Sequence, residues 1–223
     1  MDRRNFLKTG GIALLGSLAT GSAMALTTPG ALGGEGADKK AAVALAMNHF
    51  GVSEADLKKV LAAALEKGGD YADLFFEHTI SNSIRLMDGA VNNSYSNIDY
   101  GVGVRVLTGD QSGYAYVENI TVEDMLKAAR TAARIASANK GNKPLNLTEK
   151  ELKKNYYTVA SPWEEVSLKD KMPYLQKLND KVFALDNRVR KVQASLSDNT
   201  THVLFCNSEG VTYYDYRPMV SYM

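Results

Sequence analysis

The sequence predicts an α+β fold of antiparallel sheets with helices packed on one face, and three observations predict it. Apolar residues alternate with period two in several segments, most cleanly where Val102, Val104 and Val106 point one way with Gly103, Arg105 and Leu107 between them. Glycine-bearing turns join such segments into hairpins, notably Gly109-Asp110-Gln111-Ser112-Gly113 and Asp88-Gly89. Between the hairpins lie stretches whose apolar residues recur at i, i+3 and i+4, the period of a helix with one buried stripe. The helix-then-hairpin order occurs twice, before and after a polar connection, without a residue-level repeat.

A first helix is expected to begin near Ala41, and a clearer start follows at Ser53. That hydroxyl can cap the helix, with Glu54 and Asp56 beside the positive end of its dipole. Leu57, Val60, Leu61, Ala64 and Leu65 then share a face, and Gly68-Gly69 ends the helix. From Tyr71 the period becomes two: Leu74, Phe76, His78 and Ile80 alternate with Asp73, Phe75, Glu77 and Thr79. Ile84 and Leu86 are read as a second strand, and the Asn-rich run from Ala90 to Tyr100 as a less regular one leading into the valine segment. The chain returns through Tyr114 to Tyr116, which makes a sheet of about four strands.

Thr121 opens the next helix, running to about Ala138, with Val122, Met125, Leu126, Ala129, Ala132, Ala133 and Ala136 inward and Asp124 completing a capping pattern. Asn139 to Glu165 is polar and lysine-rich and holds Pro144 and Pro162. It reads as an exposed connection with a short strand near Tyr156 to Val159. For the helix that follows, Pro173 favours Asp170 over Ser167 as cap, because the ring then falls among amides that lack a helical partner. Leu175, Leu178, Val182 and Leu185 are expected inward. Val192, Ala194 and Leu196 form a strand, Asp198-Asn199 a turn, His202 to Cys206 the next strand, and Val211 to Tyr216 the last.

A hydrophobic content of 45% in 223 residues suits a globular core. The net charge of +1 offers no field for nucleic acid. A single cysteine, Cys206, excludes an internal disulfide framework and a cysteine-cluster zinc site, and its apolar strand reads as a home for an inert thiol. At the N-terminus, Arg3, Arg4, Phe6 and Leu7 resemble the twin-arginine export motif. An apolar stretch from Gly10 to Ala25 follows, too short to span a bilayer, and Ala23-Met24-Ala25 supplies the small residues of a cleavage site after Ala25. Residues 1–25 are therefore read as a twin-arginine-type signal peptide, 26–40 as a flexible linker and 41–223 as the folded domain. Such a signal is expected to deliver the protein to the periplasm through the twin-arginine export machinery.

The chemistry is sparse. His49, His78 and His202 each lack a second ligand at a helical metal spacing, and Glu77-His78 falls in a strand pattern without the second histidine of a zincin. There is no G-x-S-x-G elbow and no P-loop. Gly101-x-Gly103 lies inside a strand, where glycines permit close approach of another backbone or a ligand rather than phosphate binding. The tyrosines around it can pack structurally or form a peptide-binding surface. Asp99, Arg105, Tyr114 and Tyr116 are the candidate residues for a substrate or partner surface. No catalytic residue and no metal ligand can be named.

The block Asn97-Ile98-Asp99-Tyr100-Gly101-Val102-Gly103-Val104-Arg105, with Gly109 and Gly113-Tyr114-Ala115-Tyr116 after it, resembles the N-terminal domain of the TldD/PmbA family, on the TldD side. Asp70-Tyr71-Ala72-Asp73-Leu74-Phe75-Phe76, the segments Arg188-Val189 and Ala194-Ser195-Leu196-Ser197, and Arg217-Pro218-Met219-Val220 extend the likeness from about residue 42 onward. The resemblance implies a metallopeptidase of the modulator-of-DNA-gyrase group, acting on peptides or unfolded chains as a TldD–TldE pair or a related dimer. It also implies a zinc-type metal held by an H-E-x-x-x-H motif in a C-terminal domain, downstream of the segment matching Arg217–Val220. This chain stops at Met223 with no such motif, so it is expected to be truncated before the metal-binding domain and inactive alone, with no cofactor of its own. The alternative expectation is a non-catalytic binding or assembly subunit that pairs with a full-length TldD/PmbA-type partner.

Overall fold

The computed structural model describes residues 39–136, 148–149, 159 and 161–223. The signal motif, the cleavage position after Ala25, most of the linker and most of the strand expected near Tyr156 to Val159 lie outside them. Helices α1 (Lys39–Phe50) and α2 (Glu54–Leu65) come first. The antiparallel strands β1 (Tyr71–Met87), β2 (Ala90–Thr108) and β3 (Gln111–Val117) follow, then helix α3 (Val122–Ile135) and the two-residue β4 (Thr148–Glu149). A short 3-10 turn (Trp163–Glu165), helix α4 (Leu168–Leu185) and strands β5 (Gln193–Asn207) and β6 (Val211–Tyr222) complete the chain.

All six strands form one sheet in the order β3-β2-β1-β5-β6-β4, antiparallel except for the β4–β6 pair at the edge. The two hairpin groups are thus joined, because β5 runs alongside β1 from Asp73↔Asn207 to Met87↔Gln193. The α+β class holds. Ser53 accepts from the Asp56 amide and Asp56 returns a bond to the Ser53 amide, the reciprocal cap that starts α2. The β1–β2 turn needs two left-handed residues, and Asp88 (φ 51°) and Gly89 (φ 80°) supply them. At Gly113 a side chain would run into the Ala132 carbonyl, so glycine lets α3 lie directly on β3.

Side chains from the even-numbered positions of β1 and β2 face the helices and build two apolar cores. The larger lies beneath α1, α2 and α3 and includes Phe50, Leu57, Leu61, Leu74, Phe76, Val104, Met125 and Leu204. The smaller lies beneath α4 and holds Ile84, Leu86, Leu175, Ala194 and Leu196. Cys206 is buried in the larger core, which pushes its thiol far up and keeps it inert.

Four sequence expectations are corrected. The segment from Tyr71 to Met87 is one long strand, because its polar middle is paired on both sides by β2 and β5. Asp198-Asn199 is no turn: Asp198 is buried, with its carboxylate 2.7 Å from the Lys171 ammonium and accepting from Asn82 at 3.0 Å, so β5 runs straight through. Ser167, not Asp170, caps α4, accepting from the Asp170 amide and leaving Pro173 inside the helix. The buried stripe of α4 is Lys171, Leu175 and Asn179, whereas Leu185 is 80% exposed. A further small difference is that α1 begins at Lys39, inside the expected linker.

Candidate functional site

Alternation along β1 and β2 sends Asp73, Phe75, Glu77 and Thr79 to the side of the sheet away from the helices, opposite Arg105, Gly103, Gly101 and Asp99. On β3, Tyr114 pairs with Arg105 and Tyr116 with Gly103 on that same side. Among the described residues no helix covers this face. An open groove of about 540 Å³ crosses it, lined among others by Phe75, Glu77, Asp99, Tyr114, Tyr116 and Glu118.

Its floor is flat because Gly101 and Gly103 carry no side chain. A Cβ at position 101 would sit 2.6 Å from the Val117 carbonyl, and one at 103 would meet the Tyr114 hydroxyl at 2.5 Å. Tyr114 and Tyr116 stand more than half exposed. Three carboxylates, Glu77, Asp99 and Glu118, face the opening, and the Thr79 hydroxyl donates to Glu77 at 2.8 Å. The groove therefore offers aromatic walls and an acidic rim, suited to a chain with apolar and basic side chains. Beside it, β3 pairs β2 only from Val102 onward, so the outer edge of β2 from Ala90 to Gly101 has no neighbouring strand among the described residues.

Of the four residues named from the sequence, Asp99, Tyr114 and Tyr116 come together in the groove lining. Arg105 stands on the same face but outside the lining, where its Nε (2.9 Å) and Nη2 (2.5 Å) both donate to Asp73. Its charge is spent on that pair, and Asp73 is nearly buried.

Residue-by-residue reading missed a second constellation. On the helix-covered face, between the two apolar cores, the three histidines of the chain converge. His49, in the last turn of α1, has its Nε2 2.8 Å from Nδ1 of His78 on β1. The His202 ring from β5 lies 4.8 Å from that of His49 and 6.1 Å from that of His78. His202 Nδ1 is 2.8 Å from the Tyr214 hydroxyl, and its Nε2 is 3.6 Å from a Glu164 carboxylate oxygen. Burial, with His202 and His78 alongside, lowers the His49 pKa to about 4; burial and His202 lower that of His78. Burial alone would raise the Glu164 carboxyl, but His202 beside it outweighs that and holds it below the usual range.

These residues do not fit a zinc ion. A tetrahedral site needs several lone pairs aimed at one point about 2 Å away, whereas these nitrogens are aimed at each other, at Tyr214 and at Glu164. Among the described residues no group of three His, Cys, Asp or Glu is arranged to hold a metal. No sequence spacing could have announced the cluster, since His49 and His78 are 29 residues apart and on different elements.

A six-stranded sheet with helices on one face, and none on the other among the described residues, defines an α+β domain. Residues 72–136 match PmbA/TldA metallopeptidase domain 1, and residues 161–223 match the PmbA/TldA metallopeptidase central domain. The chain belongs to the TldD/PmbA family. It is 32% identical over 155 residues to the metalloprotease TldD homolog of Haemophilus influenzae, covering 68% of this chain and 32% of that protein. The homolog from Buchnera aphidicola subsp. Schizaphis graminum is 31% identical over 153 residues, covering 69% and 32%. This chain thus spans about a third of the length of these curated relatives. The fold is similar to the modulator-of-DNA-gyrase protein of Thermotoga maritima, with a TM-score of 0.57 at 20% identity over 75% of this chain and 38% of that one. TldE from Thermococcus kodakarensis gives 0.50 at 17% identity, over 74% and 37%.

Proposed function

We propose that this chain is the N-terminal, substrate-facing part of an exported TldD-like metallopeptidase that acts on peptides or unfolded chains in the periplasm. The observation that carries this reading is the acidic, aromatic groove lying beside an unpaired strand edge on the open face. Such an edge presents backbone donors and acceptors to any extended chain, and the groove beside it accepts alternate side chains. Asp99, Glu77 and Glu118 attract basic positions of the peptide, and Tyr114 and Tyr116 pack on apolar ones. Bond cleavage belongs to the metal of an H-E-x-x-x-H motif, which the 223 residues do not contain. When bound, that metal supplies an activated water. The part played by this chain is to hold and align the peptide, alone or across a TldD/TldE-type dimer.

The experiment combines binding, cleavage and metal content of residues 26–223. Extended peptides with basic and aromatic positions should bind without being cleaved, and elemental analysis should find less than one zinc per chain. Asp99→Asn and Tyr116→Ala should each weaken binding about tenfold, the effect of losing one well-placed contact. Cleavage by this chain, a full equivalent of tightly bound zinc, or binding indifferent to both substitutions would overturn the reading. The assembly-subunit alternative makes a separate demand. It requires a natural stop after codon 223, whereas an in-frame H-E-x-x-x-H downstream supports the peptidase.

A further inference from the structure

We propose that His49, His78 and His202 form a proton-operated latch, holding the C-terminal end of α1 on the sheet at neutral pH and releasing it on acidification. The geometry is specific. The His49–His78 contact joins two ring nitrogens, and such a bond needs a proton on one of them and a lone pair on the other. If both facing nitrogens carry protons, two N–H groups point at each other and the contact becomes repulsive. The rings are also packed at 4.8 to 6.1 Å, so each added positive charge is felt by the other two.

Among the described residues the neighbours of the cluster carry little compensating negative charge. From β2 the cluster meets Tyr100, and from β6 it meets Tyr214 and Tyr216, all neutral phenols at acid and neutral pH. Among the described residues the 3-10 turn supplies the one carboxylate, Glu164, and it is directed at His202. The next charges along the strip, Lys171 and Asp198, are paired with each other. One charged ring can still donate across the His49–His78 contact, but charging both rings puts an N–H on each facing nitrogen and turns the hydrogen bond into a repulsion.

The sign follows from linkage. Both His49 and His78 bind protons less readily in the folded state than the ordinary value of 6.5, so the unfolded or released state takes up protons first. The hold is complete above about 6.5 and is lost as pH falls toward the folded value of about 4 for His49. His49 keeps one flank in water, which softens the change without reversing it. What is released is apolar: Phe50, next to His49, is buried against Phe76 and Tyr100. Acid would expose that surface beside β1 and β2 while α2, held by its own stripe, stays in place.

The test is hydrogen exchange of the full chain at about pH 7.5 and about pH 5, corrected for intrinsic rates. Residues 44–51 should exchange about tenfold faster at the lower pH while 54–65 stay protected. The H49Q/H78N pair keeps hydrogen-bonding groups near the two ring-nitrogen positions and cannot be charged, so its protection should be the same at both pH values. Unchanged protection of 44–51 in the natural chain, loss of α1 and α2 together, or pH dependence surviving in H49Q/H78N would overturn the latch. Should that variant fail to fold, the ring resonances of His49 and His78 decide in the natural chain. Titration well below 6.5 supports the latch, and titration at 6.5 overturns it.

Discussion

Asp73 and Arg105 show how one ion pair can engage a candidate site residue. Asp73 is nearly buried on β1, and Arg105, directly opposite on β2, reaches it with two nitrogens. An arginine so engaged stabilises the hairpin pairing and has little charge left for a ligand. Lys171 and Asp198 carry the same principle further, since both side chains are almost fully buried at 2.7 Å. A pair of this kind adds little over apolar packing, but breaking it strands a charge. Lys171→Met is therefore expected to cost about 3–5 kcal/mol, read as a lowered urea midpoint. Replacing both partners, as K171M with D198L, should restore most of that loss.

Helix α4 is an element whose parts compete. Pro173 removes one backbone donor in the helix interior, which favours a later start. Ser167 nevertheless caps it, and the early start places Lys171 four residues into the helix, where it reaches Asp198. The cap and the buried pair together outweigh the proline. Ser167→Ala should lower stability by about 1 kcal/mol in thermal unfolding, and Asp170→Ser should not compensate. The strands follow the same logic of tertiary support. The β1 segment from Thr79 to Ser83 is polar, yet Thr79–Thr201 and Ser83–Ser197 hydroxyl contacts at 2.8 Å knit it to β5.

At the scale of the molecule, two consecutive family domains share one sheet. The seam between 72–136 and 161–223 is the β1–β5 ladder, fifteen residue pairs long in the centre of the sheet. A central ladder of that length leaves neither half with a closed core: Leu204 and Cys206 of β5 complete the core under α1 to α3. Residues 39–136 produced alone are expected to expose the β1 edge and aggregate. Co-production with 161–223 should return soluble, heterodimeric material on gel filtration. If 39–136 is soluble and folded alone, the two halves are independent domains.

Period and capping are local properties of neighbouring residues, so the class of fold, the faces of the strands and the caps at Ser53 and Thr121 are legible in the sequence. It named Asp99, Tyr114 and Tyr116 as candidates but not their shared side, which the two-residue turn between β2 and β3 fixes through its register in the structure. Features that depend on distant partners emerge once the chain is folded. Asp198 has the local signature of a turn but lies in a strand because Lys171 neutralises it, Ser167 caps α4 although Pro173 favours Asp170, and Arg105, a candidate for the binding surface, is met by Asp73. The three histidines are the extreme case. Each is unremarkable on its own strand or helix, and they meet only because β1 pairs with β5 and α1 lies across both.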